Sequence, residues 1–344
     1  MDYMLDKERI KALPKIELHC HLDGSIPIAT LEKLAKKENL PLEQLQKAVA
    51  PKKCLDLKEY LESFDIILPL LQSEENLSIA AYDLIEQVSK ENICYIEIRF
   101  APLLHQQNNL SIGQIISAVL QGIYAAQKKF DVHANLLISA MRHHTEKQNF
   151  DLITGIKNLN IAAIVGFDFA GDEQQVSNQE IKQSVLLAIN SGLKLTLHSG
   201  ECGCAQNVIE AIHLGATRIG HGIAIKDSLP AMQYCADNNI LLELCPTSNI
   251  QTNAIRNWQD YPLRLFLENG VKCCINTDNR TVSQTTLTDE YLLLAKHCSL
   301  NFSEMMQLNL NAVNGCFAKE EVKLQLIHKI KQSYDQYIKK SDLL

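Results

Sequence analysis

The stretch Glu17-Leu18-His19-Cys20-His21-Leu22-Asp23-Gly24-Ser25 decides the reading of this chain. It is entered through Lys15-Ile16-Glu17-Leu18, whose alternation of polar and apolar residues predicts a β-strand. Along a strand, residues i and i+2 face the same way, which sets His19 and His21 side by side, about 7 Å apart at Cα. Two imidazoles so arranged can each reach one metal ion at about 2.0–2.1 Å. Cys20 faces the other side and is expected to pack. Gly24 lets the backbone turn at the end of the strand. Two histidines on an exposed strand face would give the same pattern, so its meaning depends on what the rest of the chain brings to it.

Seven further runs are short, apolar and rich in β-branched residues: 93–100, 132–140, 162–169, 193–198, 217–221, 240–245 and 271–277, after a first strand at 16–21. Helical patterns lie between most of them, and strand–helix alternation predicts a parallel sheet. Eight strands predict closure into a (β/α)8 barrel of the α/β class, a TIM barrel, rather than an open sheet. The helix expected at 207–214 has Asn207 and Glu210 in capping-box spacing. The interval from Ile26 to Asn92 is too long for one crossover and carries helical patterns at 30–38, 57–68 and 74–90. It is expected to be a helical insertion after the first strand, partly covering the barrel mouth. A closing amphipathic helix is expected at 319–340, its charges forming a solvated face.

With 344 residues, 46% of them hydrophobic, the chain can bury one large core or two ordinary domains, and the eight-strand pattern predicts that residues 1–344 form a single barrel domain. Net charge is −7 with no basic stripe, which argues against a nucleic-acid partner. The mixed, acidic start Met1-Asp2-Tyr3-Met4-Leu5-Asp6 lacks the layout of a secretion signal, and no apolar run approaches the ~20 residues of a membrane span. Eleven dispersed cysteines then read as reduced, mostly buried thiols of a cytoplasmic protein. Oligomeric state is not legible.

Active sites of such barrels lie at the C-terminal strand ends. Here the first strand ends in the His-x-His, the fifth in Leu197-His198-Ser199-Gly200-Glu201, the sixth in Gly220-His221-Gly222 and the eighth in Asn276-Thr277-Asp278-Asn279. A lone histidine or a lone Asp278 is more often structural; four such groups on one rim form a constellation. Nitrogen and carboxylate ligands suit zinc, which lowers the pKa of a bound water to about 7. Glu201, past the glycine that follows His198, could shuttle protons beside the metal. Cys202-Gly203-Cys204 could supply two thiolates, but no second close pair completes a four-thiol site, and buried packing is expected for these cysteines.

These residues resemble the adenosine and AMP deaminases of the amidohydrolase superfamily. The resemblance covers nearly the whole chain, from ELHCHLDGS through RFAP (99–102), GFDFAGDE (166–173), LHSGE (197–201), RIGHG (218–222) and LCPTSN (244–249) to INTDN (275–279). It implies that His19, His21, His198 and Asp278 bind one zinc ion. It implies that Glu201 donates a proton to purine N1 and that His221 orients and assists the zinc-bound water. It also implies substrate contacts from His21, from Asp23 to the ribose, from the backbone N–H of Gly171 to the purine, and from Asn279 to purine N7. The implied activity is hydrolytic deamination of adenosine and 2′-deoxyadenosine to inosine and 2′-deoxyinosine with release of ammonia, in purine salvage, with a small purine nucleoside as the only partner. The fourth strand ends in Phe167-Asp168-Phe169-Ala170-Gly171, without the lysine that bridges two metals in related barrels, which favours one metal.

Asn279 departs from the Asp-Asp common in the family, although an amide can still donate to N7. Asp23 stands where adenine deaminases of the family often carry Glu, and the shorter side chain leaves room for a ribose. The alternative is a deaminase of another 6-aminopurine, adenine or a 5′-modified adenosine. A catalytically dead barrel is disfavoured because every expected ligand and Glu201 are present. A phosphoesterase or cyclic-amide hydrolase is disfavoured by the missing lysine.

Overall fold

The structure, a computed structural model, describes residues 5–202 and 204–341. The reading of the amino terminus falls partly on Met1–Met4, outside the described residues. Eight strands form where the sequence predicts them: β1 (Lys15–His21), β2 (Ile93–Phe100), β3 (His133–Met141), β4 (Ile164–Ala170), β5 (Lys194–Ser199), β6 (Arg218–His221), β7 (Leu241–Leu244) and β8 (Lys272–Ile275). They are neighbours in chain order and every pair is parallel. The last joins the first just beyond the end of β8. His21 N–H donates to the Asp278 carbonyl at 2.8 Å, and Asp278 N–H donates to the His19 carbonyl at 3.0 Å. The result is the expected TIM barrel.

The strands read as apolar runs because both of their faces are covered, one by the packed barrel interior and one by helices. The interior also holds charge. Arg99 on β2 donates to Asp168 on β4 at 3.1 Å and to Glu243 on β7 at 2.7 Å. Arg218 on β6 donates to the same Glu243 at 2.7 Å and to Glu97 on β2 at 2.5 Å. All five side chains are buried, so each carboxylate is matched by a guanidinium and the burial of charge is compensated.

The insertion after β1 holds the helices Ile28–Lys37, Leu57–Leu61, Phe64–Ile67 and Glu74–Ser89, with 3-10 turns at Leu42–Ala48 and Leu68–Leu71. The single helix expected at 57–68 is thus broken in two and ends in a 3-10 turn at Leu68-Pro69, where proline has no N–H to continue the α-helical pattern. The insertion is tied down over the mouth. Ala50 N–H donates to the Val282 carbonyl at 2.9 Å, Cys54 N–H to the Gln251 carbonyl at 2.8 Å, and the Tyr60 hydroxyl lies 2.7 Å from Ser283 Oγ.

The helix after β5 runs Ala205–His213, with Cys204 at its N-cap and no side-chain cap. The expected capping box at Asn207 and Glu210 is therefore absent: Asn207 sits inside the first turn and its amide donates instead to Glu173 at 2.8 Å. The closing helix spans Glu320–Ser341 and docks through Ile330 and Tyr334.

Candidate active site

His19 and His21 project together from the end of β1, as the strand period requires, and two other strand ends complete the cluster. His198 comes from β5 and Asp278 from the turn after β8. His21 Nε2 lies 3.2 Å from His198 Nε2 and 3.3 Å from Asp278 Oδ1, and His19 Nε2 lies 3.3 Å from the same oxygen. Two ligand atoms held by one tetrahedral zinc at about 2.0–2.1 Å stand about 3.3–3.4 Å apart. The observed spacings fit that edge length. His19 Nε2 is buried and makes no hydrogen bond, and His21 and His198 face each other through their Nε2 atoms. Such an arrangement is unfavourable without a cation at its centre.

The remaining atoms of the cluster are already engaged. His19 Nδ1–H donates to Glu243 Oε2 at 3.0 Å and His198 Nδ1–H to Asp168 Oδ2 at 2.9 Å, which fixes the tautomer that leaves Nε2 as the ligand atom in both rings. Ser248 Oγ donates to Asp278 Oδ2 at 2.7 Å. Burial raises Asp278, but the close approach of His19 and the other neighbouring imidazoles holds it well below the usual carboxylate range. Burial pushes His21 and His198 down, so both are neutral at neutral pH, as metal ligands must be. Cys245 approaches His19 and His221 closely enough to form a second grouping. Burial pushes its thiol well up, however, so it does not offer a thiolate.

Asp278 and His221 both have left-handed backbone conformations, φ +61° and +62°. Strain of this kind at two cavity residues is characteristic of functional positions. His221 is held from behind: Tyr261 donates to Asn249 Oδ1 at 3.4 Å, and this amide orientation turns Nδ2 to His221 Nδ1 at 3.0 Å. The imidazole proton is thereby assigned to Nε2, which lies 3.6 Å from Glu201 Oε2. Glu201 itself is 8% exposed. Burial pushes its carboxyl well above the ordinary range, and Asp278, Glu173 and Asp172 add to the shift, so its surroundings favour the neutral acid.

Every other residue singled out in the sequence lies here too. Asp23, Gly171 and Asn279 line the same cavity of about 300 Å³ as His21, His198, Glu201, His221 and Asp278, and the insertion roofs it with Leu57, Leu61, Phe64 and Leu68. Cys202 and Cys204 do not join it, and the expectation that they are buried is incorrect: Cys202 is partly exposed and Cys204 exposed, because both sit in the loop between β5 and its helix. The sequence reading gave no role to Glu243, Asp168, Asn249 or Arg142, whose Nη2 donates to the His198 carbonyl at 2.9 Å. A signal existed for Glu243, an acid within the apolar run Leu241-Leu242-Glu243-Leu244.

Residues 14–333 match the adenosine deaminase family model. The chain belongs to that family. It is 44% identical over 335 residues to the adenosine deaminase of Enterococcus faecalis, across 96% of this chain and 99% of that protein. Among solved structures, the N6-methyl-AMP deaminase of Arabidopsis thaliana superposes with a TM-score of 0.85 at 26% identity, covering 96% of this chain and 100% of that one. An amidohydrolase of Burkholderia ambifaria with bound zinc superposes with a TM-score of 0.89 at 21% identity, covering 98% and 95%, and shares the fold. Membership of the family makes this protein a deaminating hydrolase with a small purine substrate. No described helix is long and apolar enough to cross a membrane.

Proposed function

We propose that this enzyme deaminates adenosine and 2′-deoxyadenosine to inosine and 2′-deoxyinosine with one zinc ion per chain, as a cytoplasmic enzyme of purine salvage. The observation that carries the reading is the meeting, in one cavity, of the four-residue cluster and a buried carboxyl, Glu201. His19, His21, His198 and Asp278 would hold the ion. When bound, zinc supplies Lewis acidity that brings the pKa of water from 15.7 to about 7.

The protein's own groups supply the rest. Attack on an aromatic carbon needs an electron sink, and protonation at N1 makes the ring one. Glu201 is the donor, since its environment favours the neutral acid. His221, with its proton on Nε2, donates a hydrogen bond to the attacking oxygen and orients it. The Gly171 N–H and the Asn279 amide hold the purine edge, and Asp23 meets the ribose hydroxyls. The apolar roof excludes water, which strengthens each of these contacts.

The cavity favours a nucleoside over a nucleotide. Its walls carry Asp23, Asp65, Glu201 and Asp278 and no Lys or Arg. With Glu201 neutral and Asp278 on the metal, Asp23 and Asp65 remain to meet a 5′-phosphate without a Lys or Arg beside it, and like charges in contact cost several kcal/mol. Steady-state kinetics on adenosine, 2′-deoxyadenosine, adenine and AMP, with metal content measured on the same sample, test the proposal. The expected outcome is the highest kcat/KM on the two nucleosides and one zinc per chain. A higher value on adenine or AMP reassigns the substrate.

A further inference from the structure

We propose that Glu173 is the positioning residue for Glu201, fastening the loop that carries the proton donor to the loop that begins at Gly171. The inference rests on the reading of Glu201 as that donor. Glu173 is 5% exposed and follows the end of β4 by a short turn. Its carboxylate accepts three consecutive backbone N–H groups: Gly200 to Oε2 at 2.9 Å, and Glu201 and Cys202 to Oε1 at 2.8 and 3.0 Å. The Asn207 amide adds a fourth bond, to Oε2 at 2.8 Å.

Successive N–H groups turned to one side form a concavity that binds anions, and the left-handed Gly200, φ +70°, opens this one. Here the protein fills it with its own carboxylate. The Glu201 side chain makes no hydrogen bond among the described residues, with His221 Nε2 at 3.6 Å. Its position is therefore inherited from its backbone, and that backbone is held by Glu173. Because Glu173 lies two residues beyond Gly171, the groups assigned to the purine from β4 and from β5 move as one unit.

The test is a double-mutant cycle on the metal-loaded enzyme: wild type, E201Q, E173Q and E173Q/E201Q, with adenosine kinetics, metal content and Tm for each. Glutamine at 173 keeps the shape but turns one acceptor into a donor that faces N–H groups, so the loop must shift. A misplacement of about 1 Å costs on the order of 10²-fold in rate. In E173Q, kcat is expected to fall by about that factor while KM changes far less and metal content is retained. In the E201Q background the same substitution is expected to add little, since the group it positions is already disabled. An equal fall in both backgrounds overturns the proposal, because a general structural role is additive. Full kcat in E201Q removes the proton-donor reading, and the coupling with it. If E173Q does not fold, Glu173→Asp, which keeps the charge and withdraws the acceptors by one methylene, goes through the same cycle: a fall confined to the Glu201 background supports the coupling, and an equal fall in both overturns it.

Discussion

Asn279 is held in one orientation by a residue that has no side chain. A Cβ at Gly24 would lie 1.9 Å from Asn279 Oδ1, so only glycine lets the amide oxygen pack there. That oxygen is buried without a partner, which leaves the amide nitrogen to the cavity. On the proposed reading that nitrogen donates to purine N7, and 7-deazaadenosine, which lacks that acceptor, is the substrate that tests it. Wild type is expected to discriminate against the analogue, and Asn279→Leu to lose most of that discrimination, at about 0.5–1.5 kcal/mol for the missing bond. Equal discrimination by both proteins would take N7 away from Asn279. At this scale the candidate ligands were legible because each stands where an apolar run stops. Their partners were not. His19 and Glu243 are separated by 224 positions, and no local pattern says which acid faces which imidazole.

Between elements, Glu290 is a fully buried carboxyl with no cation beside it. From the helix Leu287–Cys298 it accepts Thr247 N–H at 3.0 Å, just after β7, and the Thr285 hydroxyl at 2.6 Å, after β8. Burial pushes its pKa up from 4.5 to about 7, against the pull of those hydrogen bonds. Between those two values the folded state binds more protons than the unfolded one, so stability falls as pH rises through this window. The cost is absent below pH 4.5 and complete above about pH 7. Glu290→Gln mimics the protonated acid and is expected to be more stable than wild type at pH 8, by up to about 3 kcal/mol, with the gain vanishing toward pH 4.5. Urea unfolding at the two pH values measures it; a gain independent of pH would mean that the carboxyl does not titrate there. Element existence was readable from sequence throughout, but element ends were not. The helix at 57–68 broke at Glu62-Ser63, between Leu57–Leu61 and Phe64–Ile67, ahead of the 3-10 turn that contains Pro69, and Asn207 was drawn from capping by a carboxylate on another loop.

The barrel as a whole is closed at its seam by side chains as well as by backbone. Arg280, 2% exposed, donates to Glu17 on β1 at 2.9 Å and to Glu91 just before β2, while its N–H meets Ser25 Oγ at 3.0 Å. Removing one member of a buried ion network leaves the others uncompensated, which typically costs about 3–5 kcal/mol. Arg280→Met is expected to destabilise by about that amount in chelator-treated protein and to weaken metal binding as well, because Asp278 lies on the same turn. Unchanged metal affinity alongside a lowered Tm would separate the seam from the site. Strand count and order were legible because parallel strands are written as apolar runs. The ionic lattice inside them was visible only as single charged letters without partners.

That seam has a consequence in time. A ribosome delivers His19 and His21 more than 250 residues before Asp278 and Arg280. Until then the two histidines belong to a strand whose closing neighbour does not exist. A chain that stops short of Asp278 lacks one of the four candidate ligands and the closure that brings the others together. Whatever ion is captured at the seam stabilises only finished molecules, since a ligand favours the state that binds it. Metal supply would then act as a check on completed synthesis as well as on activity.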